Sequence, residues 1–117
     1  FLAEAVGIAV LVLVVLCTTD ERNSSRPGIL TAATIGLTIM ILISLFGPLT
    51  MAGFNPVRNL APRLFSSLAG WGTLPFRFNG RGWLLVYVAA PLAGGQLAAL
   101  AYRRVFRPLY AAGPTIG

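Results

Sequence analysis

Three stretches of this chain are apolar and long enough to cross a lipid bilayer: Phe1 to Thr18, Gly28 to Gly47 and Gly82 to Phe106. A spanning helix needs about 20 residues at a rise of about 1.5 Å each. In hydrocarbon every backbone polar group must be satisfied internally, which leaves helices and closed barrels as the only spanning forms. The expected fold is therefore an all-α membrane protein. Only 10% of the 117 residues are charged, where a soluble domain carries about a quarter. The first stretch is at the short limit and opens on Phe1, so the chain is read as a fragment whose first helix begins upstream. A cleaved signal peptide would open with basic residues, and Glu4 stands in that place.

The net charge of +6 comes from nine arginines and no lysine. In a soluble protein this would suggest a nucleic-acid partner, but here the positions argue for membrane anchoring, and no nucleic acid is expected. Arg103, Arg104 and Arg107 close the third stretch, and Arg22 and Arg26 lie in the loop TTDERNSSRP between the first two. Three spans place that loop and the C-terminus on one side of the membrane, opposite Arg77 and Arg81. The richer side is expected to be cytoplasmic. The sequon Asn23-Ser24-Ser25 would then face away from glycosylation machinery.

Catalysis is disfavoured by what is missing. The chain has no histidine, one cysteine (Cys17) and three carboxylates, two of them adjacent at Asp20 and Glu21. No metal site, disulfide or catalytic triad can be assembled from these groups. No cofactor is expected, and the chain is not read as an enzyme. Gly94-Gly95 lies inside an apolar stretch and reads as a packing feature, as do Gly94, Ala98 and Ala101 at helical spacing. Trp71, Trp83 and Tyr102 fall near span ends and read as interfacial aromatics.

The run AGFNPVRNLAPR at residues 52–63 is the exception to this apolar pattern. Gly47-Pro48 is expected to end the second span. Asn55 followed by Pro56 has the form of a helix start, asparagine as N-cap and proline as the first helical residue. The helix is expected over about 56–68, stopping at Gly70. Its length is then about 18 Å, roughly half a bilayer. A half-helix preceded by irregular backbone is tolerated at membrane depth only where protein buries it or a watery cavity borders it. The blander alternative is an interfacial helix with its arginines in water. Glu4 favours the re-entrant form, because a carboxylate in an apolar span needs partners and the N–H groups of an irregular loop are suitable. Glu4 as an interfacial helix-start residue is the alternative.

With these residues in view, the chain resembles the aquaporins and glycerol facilitators, the major intrinsic protein family. NPVR at 55–58 is similar to the second Asn-Pro-Ala-Arg box, GPLT at 47–50 to its lead-in, and FLAEAVGIAVLVL to the helix opening the second half. LAGWG at 68–72 and APLAGGQLAALAYRR at 90–104 continue the likeness. The resemblance implies the second inverted repeat of the aquaporin-like fold over 1–117: three transmembrane helices and one re-entrant half-helix. The missing first repeat would be a partner, and the family's assembly implies a homotetramer. The implied function is a passive channel for small neutral solutes, most simply glycerol or related polyols, that excludes protons and ions. The closest likeness is to bacterial glycerol facilitators, which implies a cytoplasmic membrane.

The resemblance also implies roles for particular residues. Arg58 would donate hydrogen bonds to solute hydroxyls at the narrowest point and repel cations. Asn55 would donate at the channel centre, and the carbonyls of Met51, Ala52 and Gly53 would line the path. Ala52 stands where the most similar glycerol facilitator has phenylalanine, and Ile43 is the facing position on the second span. Val57 replaces the alanine of the box, and Asn59 replaces the aspartate that usually follows it. Arg63 and the pair Pro91-Leu92 resemble residues of the glycerol group. Glu4, Pro56, Val57 and Asn59 are expected to support the site. The departures leave water, urea, ammonia and undissociated metalloid acids open as solutes. From another class, a non-conducting helical membrane subunit would leave Asn55 and Arg58 facing headgroups or water.

Overall fold

The computed structural model describes residues 1–78, 80 and 82–113. Among the described residues every regular element is helical. Three helices are long and apolar enough to cross a membrane: α1 (Leu2–Thr19), α2 (Gly28–Thr50) and a last helix (Leu85–Ala111). Between the second and last lie α3 (Pro56–Ser66) and the short α4 (Leu74–Arg77); the last helix is α5. The all-α membrane class read from the sequence is the class observed.

Each helix ends where its sequence changes character. α1 is a run of Leu, Val, Ile and Ala that stops at Asp20, whose backbone is extended. Thr18 and Thr19 return their hydroxyls to the Val14 and Val15 carbonyls, at 2.7 Å in each case, so polar side chains near the span end satisfy themselves locally. α2 opens with a tight turn over Gly28–Leu30. It does not break at Gly47-Pro48. Pro48 lies inside the helix, which runs on to Thr50. A proline this close to the end removes one backbone hydrogen bond from the final turn and leaves the rest of the helix intact. The stop comes at Met51, in the left-handed conformation with φ 64°, its N–H donating to the Gly47 carbonyl at 2.8 Å.

α1 and α5 pack at close range because small residues meet. Ala90, Gly94 and Ala98, one helical turn apart, are all buried. A Cβ built on Gly94 would lie 2.1 Å from the carbonyl oxygen of Ala5. Backbone meets backbone there, and only glycine fits. α5 also extends past the sequence expectation, carrying Arg103, Arg104 and Arg107 on its last turns.

The α1–α2 loop and the end of α5 are clasped together. Asp20 accepts from the backbone N–H of Arg22 at 2.8 Å and from its guanidinium at 3.0 and 3.2 Å. The Tyr102 hydroxyl donates to the same carboxylate. Tyr102 is buried and stacked near Phe106. Asn23 caps the loop, its amide donating to the Cys17 carbonyl at 2.8 Å. These contacts place Arg22, Arg26 and the three arginines of α5 at one end of the bundle. Arg77 lies on α4, beyond the half-helix; Arg81, counted with it in the charge comparison, lies outside the described residues.

Two predictions follow from this packing. Gly94→Ala should destabilise the intact protein by about 1–3 kcal/mol, the usual range for overpacking. Gly36→Ala, with open space around it, should change stability little or raise it slightly. Thermal unfolding in detergent checks both. The second prediction concerns pH. Arg22 first, and then Tyr102, hold the Asp20 carboxyl well below the usual carboxylate range. A depressed folded-state value gives stabilisation that is present above the unfolded value and lost only as pH falls below it. The amides of residues 20–26 should therefore show equal hydrogen-exchange protection at pH 8 and pH 5 after correction for intrinsic rates.

Candidate functional site

The segment between α2 and α3 is where the backbone departs furthest from regular geometry. Met51, Ala52 and Phe54 all have positive φ, at 64°, 48° and 47°. None is glycine, and such conformations cost on the order of 1–3 kcal/mol each and persist only when the surroundings enforce them. Glu4 provides much of that enforcement. Its side chain is 0% exposed, and its two oxygens accept from the N–H groups of Gly53 at 2.9 Å and Phe54 at 2.6 Å. One residue of α1 thus satisfies two donors that a helix or strand would otherwise have paired.

The same face of α1 supplies the next contact. Gly7, three residues on, faces the Phe54 ring so closely that a Cβ there would sit 2.0 Å from it. The ring is buried with Leu42 and Ala52, against Ile8, Leu11 and Phe46, and meets Phe46 edge-on at 5.9 Å. Phe54 was not singled out from the sequence. The signal for it was the pairing of Glu4 and Gly7 on one helical face, which marks a groove for an irregular strand.

Past this segment, the helix start has the form its residues suggest. Asn55 is extended, and its side-chain oxygen accepts from the N–H groups of Val57 at 2.9 Å and Arg58 at 3.2 Å. Pro56 occupies the first helical position. Among the described residues the Asn55 amide nitrogen donates to no protein group. Val57 is 68% exposed, a bulky apolar side chain at the open end of the half-helix. α3 proper ends at Ser66, then widens over Ser67–Trp71, where Gly70 has φ 109°. Its 11 residues span roughly 16 Å, about half a bilayer.

Arg58 lies where three cavities meet. One of its guanidinium nitrogens donates to the Ala52 carbonyl at 3.2 Å. A cavity of about 480 Å³ opens beside α3 and α4, walled by Pro62, Trp71, Leu74 and Phe78. It shares Met51, Arg58, Asn59 and Arg63 with a smaller one of about 190 Å³, which adds Gly53 and Tyr87. A third, of about 230 Å³, also borders Arg58 and is lined by Gly53, Asn55, Ile8, Leu11, Ile39 and Ile43.

The other residues named from sequence divide around this path. Met51, Gly53, Asn55, Arg58 and Ile43 border it, whereas Ala52 is 0% exposed and contributes its side chain to the core. Asn59 accepts from Arg63 Nε at 2.8 Å. Arg63 also donates to the Pro75 carbonyl and lies 5.2 Å from the centre of the Trp83 ring. Neutral Asn59 therefore orients a guanidinium that joins α3 to α4 and to the start of α5. Pro91 is buried and Leu92 exposed, and neither borders these cavities. Tyr87, Ile8, Leu11 and Ile39 do border them, yet nothing local in an apolar run marks a residue for that position.

The family model for the major intrinsic proteins matches residues 1–102 of this chain. The chain belongs to that family. It is 41% identical over 105 residues to the glycerol uptake facilitator protein of Pseudomonas aeruginosa, covering 88% of this chain and 37% of that protein. It is 37% identical over 107 residues to the glycerol uptake facilitator protein of Escherichia coli K12, covering 90% and 38%. Against human Aquaporin-9 the identity is 36% over 102 residues, covering 87% and 34%. The chain thus spans less than two-fifths of the length of the curated relatives it matches. No solved structure gives a significant match. Within the major intrinsic protein family the architecture is a half-fold, with three candidate membrane-spanning helices and a short helix entering between them.

The Glu4 contact can be tested by replacement. Glu4→Leu leaves the Gly53 and Phe54 N–H groups unsatisfied, at about 1–3 kcal/mol each. Glu4→Gln keeps one acceptor oxygen and should be milder. The expected order of folded yield in detergent is wild type, then Gln, then Leu; equal yields for the two variants would remove Glu4 from this role.

Proposed function

We propose that this chain is the second inverted repeat of a passive membrane channel for small neutral solutes, most simply glycerol or a related polyol. The observation that carries this reading is the amphipathic path around Arg58. Arg58 and Asn55, both hydrogen-bond donors, line one cavity of about 230 Å³ together with the apolar side chains of Ile8, Leu11, Ile39 and Ile43. A polyol has hydroxyls along one edge and a hydrocarbon backbone along the other, so it can exchange its hydration for such a surface without chemistry. The Arg58 charge and the positive end of the α3 dipole act in the same direction, against cations and protons. Met51 and Gly53 border the path, and the Ala52 carbonyl holds Arg58 in it.

The remainder of the pore would come from the missing first repeat, packed against the exposed Asn55 and Val57, as in inverted-repeat architectures with a midplane site. The family's tetramer and a bacterial cytoplasmic membrane complete the proposal. The loop after α1 and the end of α5, rich in arginine, would face the cytoplasm. A second reading, a channel for water, urea, ammonia or metalloid acids, draws on Ala52: a small, fully buried side chain adds no bulk at the narrow point.

The test uses the intact protein in vesicles, with glycerol permeability read by light scattering. Arg58→Lys keeps the charge but loses the planar fork that can address two oxygens at once. Glycerol flux should fall by about tenfold, which corresponds to roughly 1.4 kcal/mol, at equal inserted protein. Flux equal to wild type would overturn the role of Arg58, and a wild type without glycerol flux would favour the second reading.

A further inference from the structure

We propose that Tyr87 is a specificity-determining residue of the solute path, supplying an aromatic wall and a hydroxyl beside Arg58; this rests on the channel reading above. Tyr87 borders the cavity of about 190 Å³ together with Met51, Gly53, Arg58, Asn59 and Arg63. It is the sole aromatic side chain there among the described residues. Its position is set by backbone on both sides. On α5 it lies in the wide turn Leu85–Ala89. Across the cavity its ring packs on Gly53, close enough that a Cβ at that glycine would lie 3.2 Å from the ring edge. The ring therefore rests against the segment that Glu4 holds in place.

This placement gives the residue two functions at once. The ring fills space that an aliphatic residue would leave open, which sets how wide a solute can pass between α5 and Arg58. Among the described residues no group takes up the phenol in a hydrogen bond, and tyrosine is both donor and acceptor there. Arg58 and Arg63 offer only donors. A solute hydroxyl held by the guanidinium of Arg58 as acceptor can then donate its own proton to Tyr87. Such a pair of contacts fits a polyhydroxylated solute and is of no use to one lacking hydroxyl protons.

The experiment compares the intact wild-type protein with Tyr87→Phe and Tyr87→Ala in vesicles at matched insertion, measuring glycerol, a five-carbon polyol and water. Tyr87→Phe should lower glycerol permeability by about fivefold, the loss of one net hydrogen bond, with water permeability lowered less, because a neighbouring water can take up the contact that one water loses. Tyr87→Ala should raise the ratio of five-carbon polyol to glycerol several-fold. Unchanged glycerol-to-water and polyol-to-glycerol ratios in a wild-type background that conducts glycerol would overturn this role and leave the channel reading standing. Absence of any polyol flux in wild type would overturn both. If Tyr87→Ala fails to insert, the glycerol-to-water ratio of Tyr87→Phe decides alone.

Discussion

The buried carboxylate of Glu4 is the interaction on which the rest of the site depends. A charged group inside an apolar bundle is costly unless its oxygens are satisfied, and two backbone N–H groups of the segment after α2 satisfy them. The dependence runs in both directions. Those N–H groups belong to a stretch in which three non-glycine residues hold positive φ, past the last carbonyl contact of α2 at Met51. The carboxylate needs the irregular loop, and the loop needs the carboxylate.

From this anchor the geometry propagates outward. With Gly53 and Phe54 tied to α1, the chain reaches Asn55 extended and enters α3 with its first N–H groups capped. Arg58 then falls one turn into the helix, within reach of the Ala52 carbonyl in the same anchored segment. The far end of α3 is held by Arg63, which engages Asn59, the Pro75 carbonyl and the Trp83 ring. The last two of these partners lie outside α3, so the half-helix is fixed at both ends. A charged side chain on such a mount needs little reordering to make a further contact, and pre-organisation of this kind, which the solute role proposed for Arg58 would use, reduces the entropic cost of that contact.

Much of this was legible without coordinates because apolar length and capping chemistry are local properties. The three spans follow from hydropathy, and the start of α3 follows from Asn55-Pro56. Gly94 was legible as a packing residue because small residues at helical spacing signal close approach. What failed was more instructive. Gly47-Pro48 reads as a break, yet a proline in a final turn costs so little that α2 continues past it. The hydroxyl of Tyr102 meets Asp20 at the end of α1, a contact 82 residues apart that no window can register. That the Ala52 side chain lies in the core with Leu42 and Phe54, against which Ile8 and Leu11 of α1 pack, likewise depends on contacts between residues distant in sequence.

By itself, the sequence determined the class of the protein and the chemistry available to it. An all-helical membrane fold, a half-length helix with a capped start, and a polar run carrying two arginines between apolar stretches are consequences of residue type and order. The tertiary structure decided which groups meet. That Glu4 reaches Gly53 and Phe54, that Arg58 stands where three cavities join, and that Tyr87 rather than Leu92 faces them all depend on how helices distant in sequence are rotated and set in depth against one another. Those rotations are set by close contacts such as Gly94 on Ala5 and Gly7 on Phe54. The physical reason is range: capping and hydropathy act within a few residues, whereas a solute path is formed by side chains from different helices and exists only once the backbones have packed.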